Sequence, residues 1–479
     1  MRTMHFVSTT RRFAVLALIL AVGAMRLAAV EEPRPLFIEG YAGQLSVQPG
    51  EEVAFHVSTS AAKFAVEIAR VGEKREVVWT GKDLPGREHP VPENASSHGC
   101  GWPVSFKVPV AVNWRSGYYV VSLRAEDRGG LYTQRGLHTA ASDAYFVVRS
   151  AQPGSGTKIL LQLSANTYNA YNNWGGFSLY AYNGRGKNQG SRVSFHRPGG
   201  SQFDRWEQPF VAWAERNGYV LDYAVNSDLE FRPELLANYR LVLSVGHDEY
   251  WSAPMRDNLE AFIGRGGNVA FFSGNSVCWQ VRSEDGGRAL VCHKQYYLVD
   301  PVFASGDHRT LSTAWSHHLV KRPENTLTGV GFLWGGYRKS HGQFMAEPAE
   351  FTVHRPEHWV FAGTDLKRGD VFGAKDTIVG YECDGCELVW LNGMPFPTHK
   401  DGTPAGFTVL STCPAKWHPD DAEWYERWEK GRVGNAVMGL YTRGGTVFTT
   451  GTTDWAHGLR GGDKAVERIT RNILEKLGK

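Results

Sequence analysis

Charge of one sign is scarce in this chain: across 479 residues, 52 Lys and Arg stand against 49 Asp and Glu, a formal net charge of +3. No basic run or stripe stands out beyond the N-terminus, which excludes the electrostatic footprint of a nucleic-acid binder. Cysteine is sparse as well, with six residues at 100, 278, 292, 383, 386 and 413. Cys383 and Cys386 form a CxxC within YECDGCELVW, but there is no second such pair, so a four-cysteine zinc site is excluded. The pair reads as a local disulfide or as two reduced thiols in a hairpin, and the even count is compatible with disulfides outside the cytoplasm. No internal repeat is visible. Apolar runs long enough to cross a bilayer are missing too: Phe13–Ala24 has twelve residues, where a span needs ~20. With 42% hydrophobic and 12% aromatic residues, the chain is too apolar for intrinsic disorder.

What is present begins with an address. Arg2, Arg11 and Arg12 precede the short run FAVLALILAVGA, which exits through small residues, the pattern of a secretory signal over residues 1–29. The expected product is an exported protein, periplasmic or secreted, with no stable membrane span. Residues 33–150 read as β: QLSVQPGEEVAFHVS, KFAVEIARV, SGYYVVSLRAED and SDAYFVVRS alternate apolar and polar residues between turn signals. Roughly seven short strands predict an immunoglobulin-like β-sandwich. AQPGSGT then reads as a linker.

From residue 155 to 479 the pattern turns to α/β. KILLQLS, YRLVLSVG and NVAFFSG are continuous apolar strands of the kind buried on both faces. Between them, SQFDRWEQPFVAWAERNGY and SAPMRDNLEAFIGRGG carry helical spacing, the latter capped at Ser252 and stopped by glycine. A helix with Ala465, Val466, Ile469, Ile473, Leu474 and Leu477 on one face closes the chain. These alternations predict a parallel sheet covered on both sides, with a β-rich insertion at about 300–410.

Ligands of such sheets sit beyond the carboxyl ends of strands. One of those loops, residues 165–186, is crowded with Tyr, Asn and Trp; another reads His247-Asp248-Glu249-Tyr250-Trp251. An H-x-E step at a strand end aims alternate side chains the same way and offers an imidazole and a carboxylate to one ion. Tyr168 can face this pair. A phenolate ligand points to a hard trivalent metal, because phenol, with a pKa of ~10, ionises at neutral pH only beside a strongly polarising cation. The bland reading is that His247 and Glu249 cap the following turn while the aromatic loop packs.

The wording of the loops goes further. NTYNAYNNWGGFSLY, VSFHRPGG, GHDEYW, SGNSVCWQVR and GYECDG resemble the large subunit of N,N-dimethylformamidase and its relatives, over most of residues 37–479. The resemblance implies a glutamine-amidotransferase-like α/β domain of flavodoxin type. It also implies a mononuclear Fe(III) held by two tyrosines and a glutamate, and a histidine two residues before that glutamate. By motif these are Tyr168, Glu249 and His247; the second tyrosine is assigned to Tyr119, with Tyr132 and Tyr145 as rivals. The implied activity is hydrolysis of the C–N bond of a small linear amide by metal-activated water, alongside a small partner subunit. Within it, His247 would serve as base and then acid, Asn166 and Asn169 would orient a carbonyl or water, and Tyr171, Trp174, Tyr180 and Tyr182 would form walls. Turn-forming asparagines and core rings are the plain alternatives. Two other classes stay open: a thiol amidase on Cys278 with His293, and a non-catalytic exported module binding carbohydrate or protein. The oligomeric state is open as well, a homo-oligomer included.

Overall fold

The computed structural model describes residues 35–128, 137–339, 345–417 and 433–479; the export signal read over 1–29 lies outside the described residues. The protein is a mixed α/β structure, mostly β, with several sheets. The alternating segments near the N-terminus fold into two sheets. Strands Ile38–Ala42, Glu52–Thr59 and Phe106–Pro109 form one. The other is built on Lys63–Val71, Arg75–Pro85, Gly117–Arg128 and Leu137–Val148, with Ser46–Val47 added in parallel at its edge. The period of two sends Val53, Phe55 and Val57 from the first sheet against Val66, Ile68, Val121, Leu123 and Phe146 from the second. Each such side chain contributes roughly 1.5–3 kcal/mol by leaving water.

The opposite face of the second sheet is also buried. Tyr118 stacks on Phe203 at 4.0 Å, and Tyr118, Tyr145 and Val147 share a core with the α/β part. Arg70 pairs with Glu215, and Ser46 Oγ donates to Asp228 at 2.7 Å. The segment read as a linker therefore joins two parts that pack on one another.

The α/β part is organised on one large sheet. Its strands run in the order Asp222–Val225, Ile159–Leu163, Leu241–His247, Asn268–Gly274, Gly445–Thr449, Val433–Arg443, Thr408–Lys416, Gly331–Tyr337, Glu382–Gly385. The first five are mutually parallel, and the remainder are antiparallel. The sheet is thus mixed rather than parallel throughout, and residues from 331 to 416, the stretch read as a β-rich insertion at about 300–410 among them, add strands to it. A tight turn joins Val433–Arg443 to Gly445–Thr449, and antiparallel neighbours need no crossover helix. The helices fall as predicted, at Glu207–Arg216, Ala253–Gly264 and Lys464–Leu477, and Ser252 Oγ caps the second by accepting from Met255 N–H at 3.3 Å. Strand order reverses between Ile159–Leu163 and Leu241–His247, which opens a crevice at their carboxyl ends. Among the described residues no helix is long and apolar enough to cross a membrane.

Candidate active site

The crevice is shaped by a kink. Gly246 takes φ +81°, and a Cβ there would come within 2.3 Å of Trp206 Cβ, so only glycine fits. Beyond it the chain alternates. Asp248 turns into the core, accepting from Ser244 Oγ at 2.8 Å and Asn226 Nδ2 at 3.1 Å. His247 and Glu249 turn together into the crevice, with Nε2 3.3 Å from Oε2. The Glu249 N–H donates to Thr167 Oγ1 at 3.0 Å, tying this loop to the short helix Ala165–Tyr171.

Three side chains donate to the Glu249 carboxylate. Tyr171 Oη lies 3.0 Å from Oε2, Tyr180 Oη lies 2.9 Å from each oxygen, and Trp279 Nε1 lies 2.7 Å from Oε1. Tyr250 Oη in turn donates to Tyr180 Oη at 2.8 Å. The Lys294 ammonium sits 3.2 Å from the centre of the Tyr180 ring. On the other side of His247, Nε2 is 2.8 Å from Glu382 Oε2. Neither imidazole nitrogen reaches hydrogen-bonding angles with a neighbour, so these are ion-pair contacts in a buried setting.

Burial opposes charge on His247, but Glu382 and Glu249 outweigh it and push the imidazole up to about 10. Burial likewise opposes ionisation of Glu249, and there the His247 contact and the Lys294 charge win, holding the carboxyl below its ordinary value. Lys294, desolvated and only partly compensated by Glu249, falls to about 8. Tyr171 and Tyr180 are raised well above the ordinary phenol by burial and then by the charge on Glu249. Tyr171, Tyr180, Glu249 and Glu382 open onto a cavity of about 420 Å³, walled by Tyr182, Trp279, Phe332, Tyr337, Tyr381 and Trp417.

The expected pair His247 and Glu249 is therefore brought together, and Tyr171 joins it as a hydrogen-bond donor. Tyr168 is not among the donors to Glu249: its hydroxyl donates to the buried Glu207. Tyr119 is a sandwich core residue whose hydroxyl donates to Arg115 O at 2.7 Å, so the fold does not carry it to Glu249. Tyr145 packs edge-on against Tyr168, and Tyr132 lies outside the described residues. Asn166 Nδ2 braces backbone by donating to the Tyr250 carbonyl at 3.1 Å, and Asn169 Oδ1 accepts from the Arg197 guanidinium at 3.2 Å. Trp174 donates to Glu39 at 2.9 Å, away from the cavity wall.

Cys278 lines the cavity, but burial holds its thiol well above the ordinary value, and His293 is spent on Ser312 at 2.8 Å. All six cysteines are free and buried, so the CxxC pair is reduced. Sequence reasoning took Tyr180 for a wall and left Glu382 and Lys294 unassigned. Glu382 did stand inside GYECDG, a motif already singled out.

Among the described residues, no group of three or more His, Cys, Asp or Glu side chains is arranged to hold a metal. Tyr171 and Tyr180 supply a different donor type. Two phenolic oxygens converging on one buried carboxylate are a hard oxygen set, and a trivalent cation would lower both phenols.

Residues 65–468 match the family described as N,N-dimethylformamidase beta subunit-like, C-terminal. The N,N-dimethylformamidase beta subunit of Alcaligenes sp is 24% identical over 434 residues, covering 79% of this chain and 54% of the relative. That of Paracoccus aminophilus is 23% identical over 436 residues, covering 79% and 55%. The chain thus spans about half the length of these curated relatives. A solved family 123 glycoside hydrolase from Clostridium perfringens overlaps 53% of this chain and 51% of its own, at 10% identity and a TM-score of 0.13. With the match running from the sandwich's second sheet through the Glu249 crevice to the start of the closing helix, the chain belongs to the N,N-dimethylformamidase beta subunit-like family.

Proposed function

We propose that this chain hydrolyses the C–N bond of a small amide in the cavity beside Glu249, with a mononuclear Fe(III) held by Tyr171, Tyr180 and Glu249. The observation that carries the reading is the convergence of two phenols on one buried carboxylate that stays ionised beside His247. This set replaces the Tyr168 and Tyr119 assignments with tyrosines that touch the carboxylate. The iron, when bound, would supply Lewis acidity toward a carbonyl or water oxygen.

The chain's own residues do the rest. The aromatic walls strip water from the amide and leave one face open to Glu249 and Glu382, with His247 buried behind them. With a trivalent cation on Glu249 the imidazole would be held neutral, and His247, 2.8 Å from Glu382, would take a proton from the attacking water through that carboxylate and return it by the same route to the leaving amine nitrogen as the C–N bond breaks. Lys294 holds the Tyr180 ring in place against Glu249. The fold is read as flavodoxin- and glutamine-amidotransferase-like, because its parallel strands run 2-1-3-4-5 in chain order, and the N-terminal sheets are read as immunoglobulin-like. The relatives are named as subunits, which supports a partner subunit here, and the N-terminal signal pattern supports export.

Metal analysis with a visible spectrum tests the site. About one iron per chain and a tyrosinate charge-transfer band are expected, the band shifted or lost in Tyr171→Phe and in Tyr180→Phe. A colourless protein that takes up no iron would refute the proposal. Mass measurement of the mature exported chain checks the signal.

A further inference from the structure

The cavity is not used up by the Glu249 cluster. It also reaches Glu324 and Asn275, which none of the mechanism above employs. Glu324 stands just before the short helix Asn325–Thr328 and is 1% exposed. Its Oε2 has no hydrogen-bond partner. The nearest cation is no help, because the Arg256 guanidinium is spent on Glu260 at 2.9 Å, on the Arg322 and Pro323 carbonyls at 2.8 and 2.9 Å, and on Thr326 Oγ1 at 2.6 Å. Asn275 is 2% exposed, and its Oδ1 is also without a partner. It begins the turn after the strand Asn268–Gly274 with φ +48°, and Val277 follows at φ +57°. A β-branched residue in that region is strained, and such strain persists where surrounding structure fixes a functional geometry.

Two acceptor oxygens buried without donors are costly, so a ligand that brings donors is favoured. Protonating Glu324 would supply only one hydrogen. The walls around these oxygens are aromatic, from Trp279, Phe332, Tyr337 and Trp417, and ring faces attract cations. A group that is cationic and rich in N–H satisfies the carboxyl, the amide oxygen and the rings together.

We infer that Glu324 and Asn275 form a second subsite that receives an ammonium group, so the substrate is an amide carrying a cationic amine. A plain dialkylformamide has no such group and leaves both oxygens unpaired. The inference rests on the amide-hydrolase reading for the word substrate alone; the subsite itself is read by binding.

The test is calorimetric titration of the purified full chain at pH ~9, above the value of about 8 to which burial raises Glu324, with n-butylammonium chloride and, separately, its neutral isostere n-butanol. Wild type should bind the ammonium at least about tenfold more tightly, the usual weight of a charge-assisted hydrogen bond. Glu324→Gln should erase that preference, and Asn275→Gly, which suits the left-handed backbone, should cut it by about threefold. Should Glu324→Gln not fold, Glu324→Asp replaces it, with ammonium binding weakened in a chain of unchanged circular dichroism. Equal binding of the two probes by wild type, or a preference that survives substitution at Glu324, overturns the inference. Iron content reads the other proposal separately. Failed iron uptake with the ammonium preference intact sinks the metal reading alone, and lost preference with iron retained sinks only this one.

Discussion

One short helix, Ala165–Tyr171, presents two tyrosines to two buried carboxyl groups, and the two pairs behave oppositely. Tyr168 donates to Glu207, which burial drives up to about 8 despite that hydrogen bond, so the carboxyl is held neutral within the core. Tyr171, three residues on, donates to Glu249, which is equally buried yet held below its ordinary value. The difference lies in the neighbours. Glu249 has His247 at 3.3 Å and the charge of Lys294 nearby, while Glu207 has no cation among the groups that set its titration. A buried tyrosine–carboxyl pair therefore marks a site only where cationic partners keep the carboxylate charged and a cavity lets a ligand reach it.

The largest test of that contrast removes the charged carboxylate. Glu249→Gln should abolish iron binding and lower amide turnover by about a thousandfold or more, given the several kcal/mol a Lewis-acid centre supplies. The same measurements on Glu207→Gln should leave iron in place. Next come the phenols. Tyr171→Phe and Tyr180→Phe should each alter the visible band, whereas Tyr168→Phe should keep it and instead cost about 1–3 kcal/mol in urea unfolding, because Glu207 loses its donor. Iron lost from Tyr168→Phe and retained in Tyr171→Phe would invert the comparison and restore the assignment that the motif NTYNAY alone supports.

That inversion shows what the sequence could and could not carry. His247 and Glu249 were legible because the period of a strand end fixes which side chains share a direction, and Gly246 only sharpens the aim. The parallel strands from Ile159 to Gly274 were legible from their unbroken apolar runs. Choosing among Tyr168, Tyr171 and Tyr180 was not. They lie within thirteen residues, all on or after one helix of seven, and a turn more or less of backbone decides which phenol meets which carboxyl. Glu382, Trp279 and Lys294 come from distant segments, so their meeting depends on tertiary packing that no local pattern encodes. The antiparallel half of the sheet was missed for a related reason. Thr408–Lys416 and Val433–Arg443 are buried along most of their length, so no alternation marks how they pair, and partners far apart in the chain supply the register.

A smaller effect follows from the neutral carboxyl. An unfolded glutamate titrates near ~4.3, but Glu207 in the fold is pushed up to about 8, so the folded state binds the extra proton between those values. Stability from this group is present at low pH and is lost as pH rises through that window. Glu324, raised to about 8, and Asp384, raised to about 7, act in the same direction. The midpoint of thermal unfolding should therefore decline between about pH 5 and pH 8, and Glu207→Gln should flatten part of the slope. An identical slope in the variant would mean that Glu207 is already ionised, and the contrast with Glu249 would then lose its basis.

The smallest effect belongs to the tyrosine that the resemblance placed second in the metal set. Tyr119 is fully buried between the sandwich sheets, stacked on Trp114 at 5.3 Å, and its hydroxyl is satisfied by the Arg115 carbonyl four residues back. Tyr119→Phe keeps the ring and removes a neutral hydrogen bond, so the expected cost is about 0.5–1.5 kcal/mol in urea unfolding, with iron content and visible band unchanged. A bleached band in this variant would require the sandwich hydroxyl to reach Glu249, which its seat in the sandwich core forbids. The Phe variant thus separates a tyrosine held by packing from one held for chemistry.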